Sequence, residues 1–262
     1  MKKTLIAMAV AASAAISGSA MAWTANGSGG NVDLGGTITP VEKVTPWEVQ
    51  VGAAVTDLDA DIQKGQQKVD VAVNKPIPVL GIRTIVKTPF AGKAGINPTI
   101  DYKGAINTSN FSSNKTDLTL DVLDTDGAKI GTLSTKLAAS GVISRVYSSD
   151  GYKDAMILYS EDSWGAFDGG LSATKGGVDV ASAGLNLINE LFPGAADNFD
   201  AQGTSFNTEA GMSHFGADGW LYSGAYASGI RAQENIKITL DNPAGGGEII
   251  WKASLPVTVT YI

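Results

Sequence analysis

His214 is the one histidine among 262 residues, and no cysteine accompanies it. In Ser213-His214-Phe215-Gly216 it could act as a base or hold a metal, but no neighbouring residue in the sequence completes such a site. No Gly-x-Ser-x-Gly elbow is present to expose a nucleophile. Cleaving a glycosidic bond needs only two carboxylates, and none of the 26 Asp and Glu is paired off by spacing. Asp124-Thr125-Asp126-Gly127 opens like a calcium loop but lacks the remaining ligand positions and the closing glutamate. A hairpin turn suits it better. No catalytic, cofactor-binding or metal-ligating residue is expected, and His214 reads as a surface loop residue.

Aromatic side chains offer a different chemistry. Tyr152, Trp164, Phe167 and Trp220 could supply flat faces for sugar C–H groups, with Asp150 or Asp168 accepting hydroxyl hydrogen bonds. Most of them are expected in the core or in subunit packing, because aromatics carry large buried areas. The sequence singles out no receptor-binding residue.

The chemistry that the spacing supports best is main-chain pairing. In Asn31 to Thr39, Val32, Leu34 and Ile38 fall on one face at period two, with Gly36 at the remaining position. This is a half-buried strand pattern, preceded by Gly27 to Gly30 and followed by Pro40. A strand bounded in this way need not pair within its own domain; it could be lent to a neighbour. The other end of the chain makes that reading stronger. Trp251 to Ile262 alternates, with Leu255, Val257, Val259 and Tyr261 on one face, and nothing after it to cover its edge.

Lys2 and Lys3 lead into an uncharged run from Thr4 that ends on Ala20-Met21-Ala22, a small-x-small peptidase pattern. Residues 1–22 are therefore expected to be a signal peptide cleaved before Trp23. The run is mostly Ala, Ser and Gly beyond Ile6, short of the roughly 20 strongly apolar residues of a membrane anchor. The formal charge is −7, which argues against nucleic acid and anionic lipid as partners. Export would permit disulfides, yet without cysteine stability must come from burial and strand pairing.

Composition and alternation predict a mainly β chain. Trp47 to Gly52, Lys68 to Val73 and Ile77 to Ile85 read as strands, with Pro78 marking an edge or bulge. Residues 89–98 read as loop. Thr116 to Gly141 reads as a hairpin around the Asp124–Gly127 turn, and Ile236, Ile238 and Leu240 alternate again. The Asn-x-Ser/Thr runs at Asn107, Asn110 and Asn114 read as polar loop. Between about 148 and 218 the character changes: Val178 to Phe192 carries a broad helical apolar stripe, stopped by Pro193-Gly194. This is expected to be a helix-containing insertion between two strands.

An immunoglobulin-like sandwich needs about seven strands to close over its core, and a bare final strand leaves a groove and an aggregation-prone edge. Lending residues 23–40 of the next molecule to the groove of domain 41–262 would resolve both problems, as in pilins, a known case of strand addition. Burying Val32, Leu34 and Ile38 would contribute about 1.5–3 kcal/mol each, and Gly36 would fit where the groove is shallow.

The sequence resembles the FaeG-type major fimbrial subunits of the chaperone–usher pathway. Met1 to Ala7, Gly30 to Thr39, Trp47 to Gly52, Asn74 to Ile77, Ala225 to Ile230 and Trp251 to Tyr261 carry the resemblance. It implies an incomplete immunoglobulin-like pilin sandwich completed by donor-strand exchange, and a surface fimbria that is a homopolymer of the chain. It also implies a periplasmic chaperone and an outer-membrane usher as partners, and adhesion to host glycoconjugates through the insertion. A secreted carbohydrate-active enzyme and an outer-membrane β-barrel are the alternatives. The barrel would need many strands of about ten residues with aromatic girdles, which the helical segment fits poorly.

Overall fold

The structure, a computed structural model, describes residues 25–26, 32, 34–39, 44–181 and 183–262. The expected leader over 1–22, its cleavage point, and Gly30, Asn31, Asp33 and Pro40 lie outside the described residues. The chain divides into two compact units, 1–43 and 44–262. In the first, Val32, Leu34 and Ile38 are 79, 93 and 95% exposed.

The second unit is mainly β, consistent with a pilin-like sandwich. In chain order it forms β1 (Trp47–Val51), β2 (Lys68–Ala72), β3 (Ile77–Thr84), β4 (Phe90–Ala91), β5 (Pro98–Asp101), β6 (Lys115–Leu123), β7 (Lys129–Tyr147) and β8 (Lys153–Ile157). A short helix α1 (Leu185–Leu191) follows, then β9 (Trp220–Ile230), β10 (Asn235–Leu240) and β11 (Thr258–Tyr261).

β7 is the spine. Its first half pairs with β6 and β10, and its second half with β8 and β9, all antiparallel. The β6–β7 turn is made by Asp124, whose Oδ1 accepts the N–H groups of Asp126 and Ala128 at 2.9 Å each. β9 and β10 lie along β7 in succession, and β2 and β3 pair with β10 and β9 in turn. The two breaks coincide: Gln233 N–H donates to Val73 O (2.8 Å) and Val73 N–H to Glu234 O (3.1 Å). β1 extends the sheet beyond β3. The register slips between Pro78 and Leu80, where proline has no N–H to give the ladder.

Alternation puts a different core on each face of this sheet. Leu137 and Ile143 of β7 join Tyr222 and Tyr226 of β9, Leu80 and Ile82 of β3, and Trp47 in the larger core. β5 and β11 form a second, two-stranded antiparallel sheet, and their Ile100 and Val259 pack into that core. On the opposite face Ala138, Val142, Ala225 and Ala227 meet Leu187, Ile188 and Leu191 of α1.

Three expectations are corrected. Among the described residues, the helical stripe over Val178 to Phe192 is helical only at Leu185–Leu191. Gly184 stands at φ +87°, a conformation outside the helical range. Upstream, Asn114 Nδ2 donates to Asp179 O (2.9 Å) and its Oδ1 accepts Asp179 N–H (3.3 Å), holding that backbone off the helical path. Residues 89–98 are not all loop, since β4 pairs with β9 and β5 begins at Pro98. The last strand is a paired strand only at Thr258–Tyr261, where β5 covers one edge; upstream it alternates without a ladder.

Candidate functional site

A groove of about 1270 Å³ opens beside the larger core. Its floor is apolar, with Val71 of β2, Leu118 of β6, Leu133 of β7 and Ile236 and Ile238 of β10. One lip is the stretch from Gly52 to Ile62, in which Leu58 and Ile62 turn inward and half-buried while Asp57, Asp59 and Asp61 face solvent. The other is 247–257, whose Trp251, Ala253, Leu255 and Val257 alternate inward. Both lips are strand-like in pattern. Among the described residues, no backbone hydrogen bond joins 53–62 or 253–257 to another segment.

The lips are anchored at their ends. Gly52 N–H donates to Val79 O (3.0 Å), and a Cβ on Gly52 would lie 1.9 Å from Pro78 O. Gly65 N–H donates to Ala244 O and Ala244 N–H to Gln66 O, each at 2.8 Å. On the other lip, Leu123 and Lys252 exchange backbone hydrogen bonds of 2.8 and 2.9 Å. The result is two extended edges that flank an apolar floor, with main-chain groups left to pair. An apolar floor between strand-like edges is the kind of surface to which an extended segment can add. Leu255 and Val257 line the groove, while Val259 and Tyr261 are half-buried in β11 against the core.

Away from the groove, aromatic and charged side chains gather on the surface. Trp220 lies 5.0 Å from the Tyr147 ring and 6.1 Å, edge to face, from Tyr152. The Arg145 guanidinium stands 5.0 Å over the Trp220 ring and grips Asp154 through two bonds of 2.7 and 3.1 Å. Arg145 Nη1 also reaches Ser213 Oγ (3.1 Å). Beside it, His214 meets Trp164 edge to face at 5.0 Å. Burial and the Arg145 charge hold the His214 pKa below its usual value, and its Nδ1 accepts Gly216 N–H. His214 is thus a half-buried turn residue rather than an open surface one. Tyr152 and Trp164 are 53 and 46% exposed, whereas Phe167 is fully buried.

The whole chain, residues 1–262, matches a family described as fimbrial, major and minor subunit. The chain belongs to this fimbrial subunit family. It is 32% identical to K88 fimbrial protein AB and 33% identical to K88 fimbrial protein AC, both of Escherichia coli and both matched over the full length of each chain. The F41 fimbrial protein of Escherichia coli is 28% identical, again over both full lengths. Membership makes this a structural subunit of fimbriae and not an enzyme. Among the described residues of the fimbrial subunit, no group of three or more acidic or histidine side chains could hold a metal ion, and no helix could cross a membrane.

The alternation in the sequence singles out Leu255 and Val257, which line the groove, but not the opposite lip. The signal was present: Leu58, Ala60 and Ile62 alternate with three aspartates. Arg145 was missed too, and no spacing rule links it to Trp220 across the sheet.

Proposed function

We propose that this fimbrial subunit polymerises by donor-strand complementation, residues 30–39 of one copy entering the groove of the next. The observation that carries the reading is the pair of lips without backbone partners around an apolar floor. The same chain holds an exposed alternating segment, Val32, Leu34 and Ile38. Inserted, those side chains would meet the floor while the strand's main chain paired with 53–62 and 253–257. Leu255, Val257, Val259 and Tyr261 form the acceptor strand. In transit through the periplasm, after removal of residues 1–22, a chaperone strand would occupy the same groove until an outer-membrane usher exchanges it. The assembled fimbria stands on the cell surface.

The test is a variant carrying a second copy of residues 30–39 on a flexible linker after Ile262. Filling its own groove should keep it monomeric and raise its melting temperature by at least about 10 °C, given the apolar area buried. Equal melting with and without the added segment would overturn the reading.

A second role, adhesion, is favoured by exposed Tyr152 and Trp164 beside half-buried Trp220 and Arg145. Aromatic faces beside a buried-edge guanidinium suit a sugar ring, with its C–H groups on the ring face and its hydroxyls on the charged edge. Fimbriae built from Trp220→Ala or Tyr152→Ala subunits should assemble normally and lose binding to immobilised glycoconjugates. Unchanged binding in both would remove the patch from the adhesive site.

A further inference from the structure

One buried side chain ties the C-terminal strand that leads out of the groove to exposed Trp164 and the half-buried His214 beside it. Asn97 immediately precedes β5 and is 3% exposed. Its backbone exchanges two hydrogen bonds with Ile262, at 3.1 and 3.0 Å, at the end of β11. Its side chain faces the other way. Nδ2 donates to Trp164 O (3.0 Å) and Gly165 O (2.9 Å), and Oδ1 accepts Phe215 N–H (3.2 Å). The strand that follows continues the connection. β5 pairs with β11 on one edge, and on the other Phe167 N–H donates to Pro98 O (2.9 Å) and Ile100 N–H to Asp168 O (2.7 Å). The C-terminal strand, β5 and the segment 164–168 are therefore successive rungs of one ribbon. Asn97 also ties in the residue next to His214.

We propose that filling the groove orders the Trp164–His214 surface through Asn97, so that this surface is set in assembled subunits and loose in unfilled ones. The coupling rests on the donor-strand reading. Among the described residues, 253–257 make no backbone hydrogen bond to another segment, and they lead directly into β11. A strand laid beside them adds a ladder and apolar cover, which quiets local opening of β11 and of its partner β5. Asn97 is too buried for water to replace its partners. When Ile262 and β5 open, its amide must drag 164–165 and 215 with it or leave buried polar groups unpaired. A ligand that removes such motion in one place lowers the cost of ordering the other, with no change of average structure.

Amide hydrogen exchange tests this on two full-length chains. One is the unfilled chain; the other carries the second copy of residues 30–39 after Ile262. Both carry Leu34→Asp in the native extension, so that neither polymerises. Filling should slow exchange at 253–257 and also, by at least about tenfold, at Phe167 and Phe215. In an Asn97→Ser version of the filled chain, protection at 253–257 should persist while the gain at Phe215 disappears. Slowing at 253–257 with no change at Phe167 and Phe215 would overturn the coupling while leaving the groove reading standing. No slowing at 253–257 would sink the groove reading and the coupling together. The comparison of the two Asn97 chains decides the proposal even if the serine variant does not fold.

Discussion

At the residue scale, the buried hydroxyls of the larger core are arranged as a donor chain. Tyr226 OH donates to Gly170 O (3.0 Å), Tyr102 OH lies 2.9 Å from Tyr226 OH, and Ser228 Oγ lies 2.6 Å from Tyr102 OH. Each oxygen has a partner, as a dry interior requires. A Cβ on Gly170 would fall 2.8 Å from the Tyr226 hydroxyl, so only glycine admits the network. Burial pushes the Tyr102 pKa up to about 12, and that of Tyr226 well above its ordinary 10.0. In the unfolded chain both ionise near 10, so between pH 10 and 12 the unfolded state binds fewer protons than the folded one. Stability is intact below pH 10 and falls as pH rises through about 12, by about 1.4 kcal/mol per pH unit for each tyrosine. Urea melts from pH 9 to 12 should give this slope, and Tyr102→Phe should reduce it. An unaltered slope in Tyr102→Phe would mean that other groups set the alkaline limit.

At the element scale, β7 and β9 divide their residues between two jobs. Tyr222, Tyr226 and Ile143 fill the larger core, while the alternate positions Ala138, Ala225 and Ala227 are small. Small residues let α1 approach closely: a Cβ on Gly229 would lie 3.1 Å from Leu191 O, and one on Gly81 3.0 Å from the Phe192 ring. Ile188, fully buried against this face, is its centre. Ile188→Ala should cost about 2–5 kcal/mol in a denaturant melt. The added segment after Ile262 should still raise the melting temperature of that variant, because α1 packs on the face opposite the groove. These elements were unevenly legible in the sequence. Alternation with turn residues at the ends exposed β1, β2, β3, β6 and β10, and the Asp124–Gly127 turn located the hairpin. The length of β7 was hidden because Ala138-Ala139-Ser140-Gly141 carries no contrast between faces when both are buried. The start of α1 was hidden because Val178 to Ala183 keeps helical spacing in the sequence, while hydrogen bonds with Asn114 hold the backbone at Asp179. The lip at Leu255 and Val257 was legible from its alternation. The lip at Leu58 and Ile62 was not, since an alternating run without a partner resembles an acidic loop.

At the scale of the whole molecule, the question is what a lent strand must supply to hold two subunits together. Val32, Leu34 and Ile38, nearly fully exposed, would contribute about 1.5–3 kcal/mol each on burial. Ordering a strand costs about 1–2 kcal/mol per residue in backbone entropy, so in the proposed insertion the three side chains alone offset only part of the cost of placing residues 30–39. The net holding free energy must then come from the main-chain ladder on both lips and from every apolar position being filled. An inward position therefore tolerates no charge. In the proposed insertion Leu34→Asp would bring a carboxylate to an apolar floor that includes Val71, Leu118 and Ile238, at a cost well beyond the lost burial. Leu34→Asp should leave the subunit folded, because its own domain does not use the side chain, and should abolish polymer on the cell. The outward position Thr37→Asp should assemble, since its side chain would face solvent. Shearing cells and weighing released fimbriae by electron microscopy and gel filtration separates these outcomes. Abundant fimbriae from Leu34→Asp cells would mean that subunits are held together by something other than this strand.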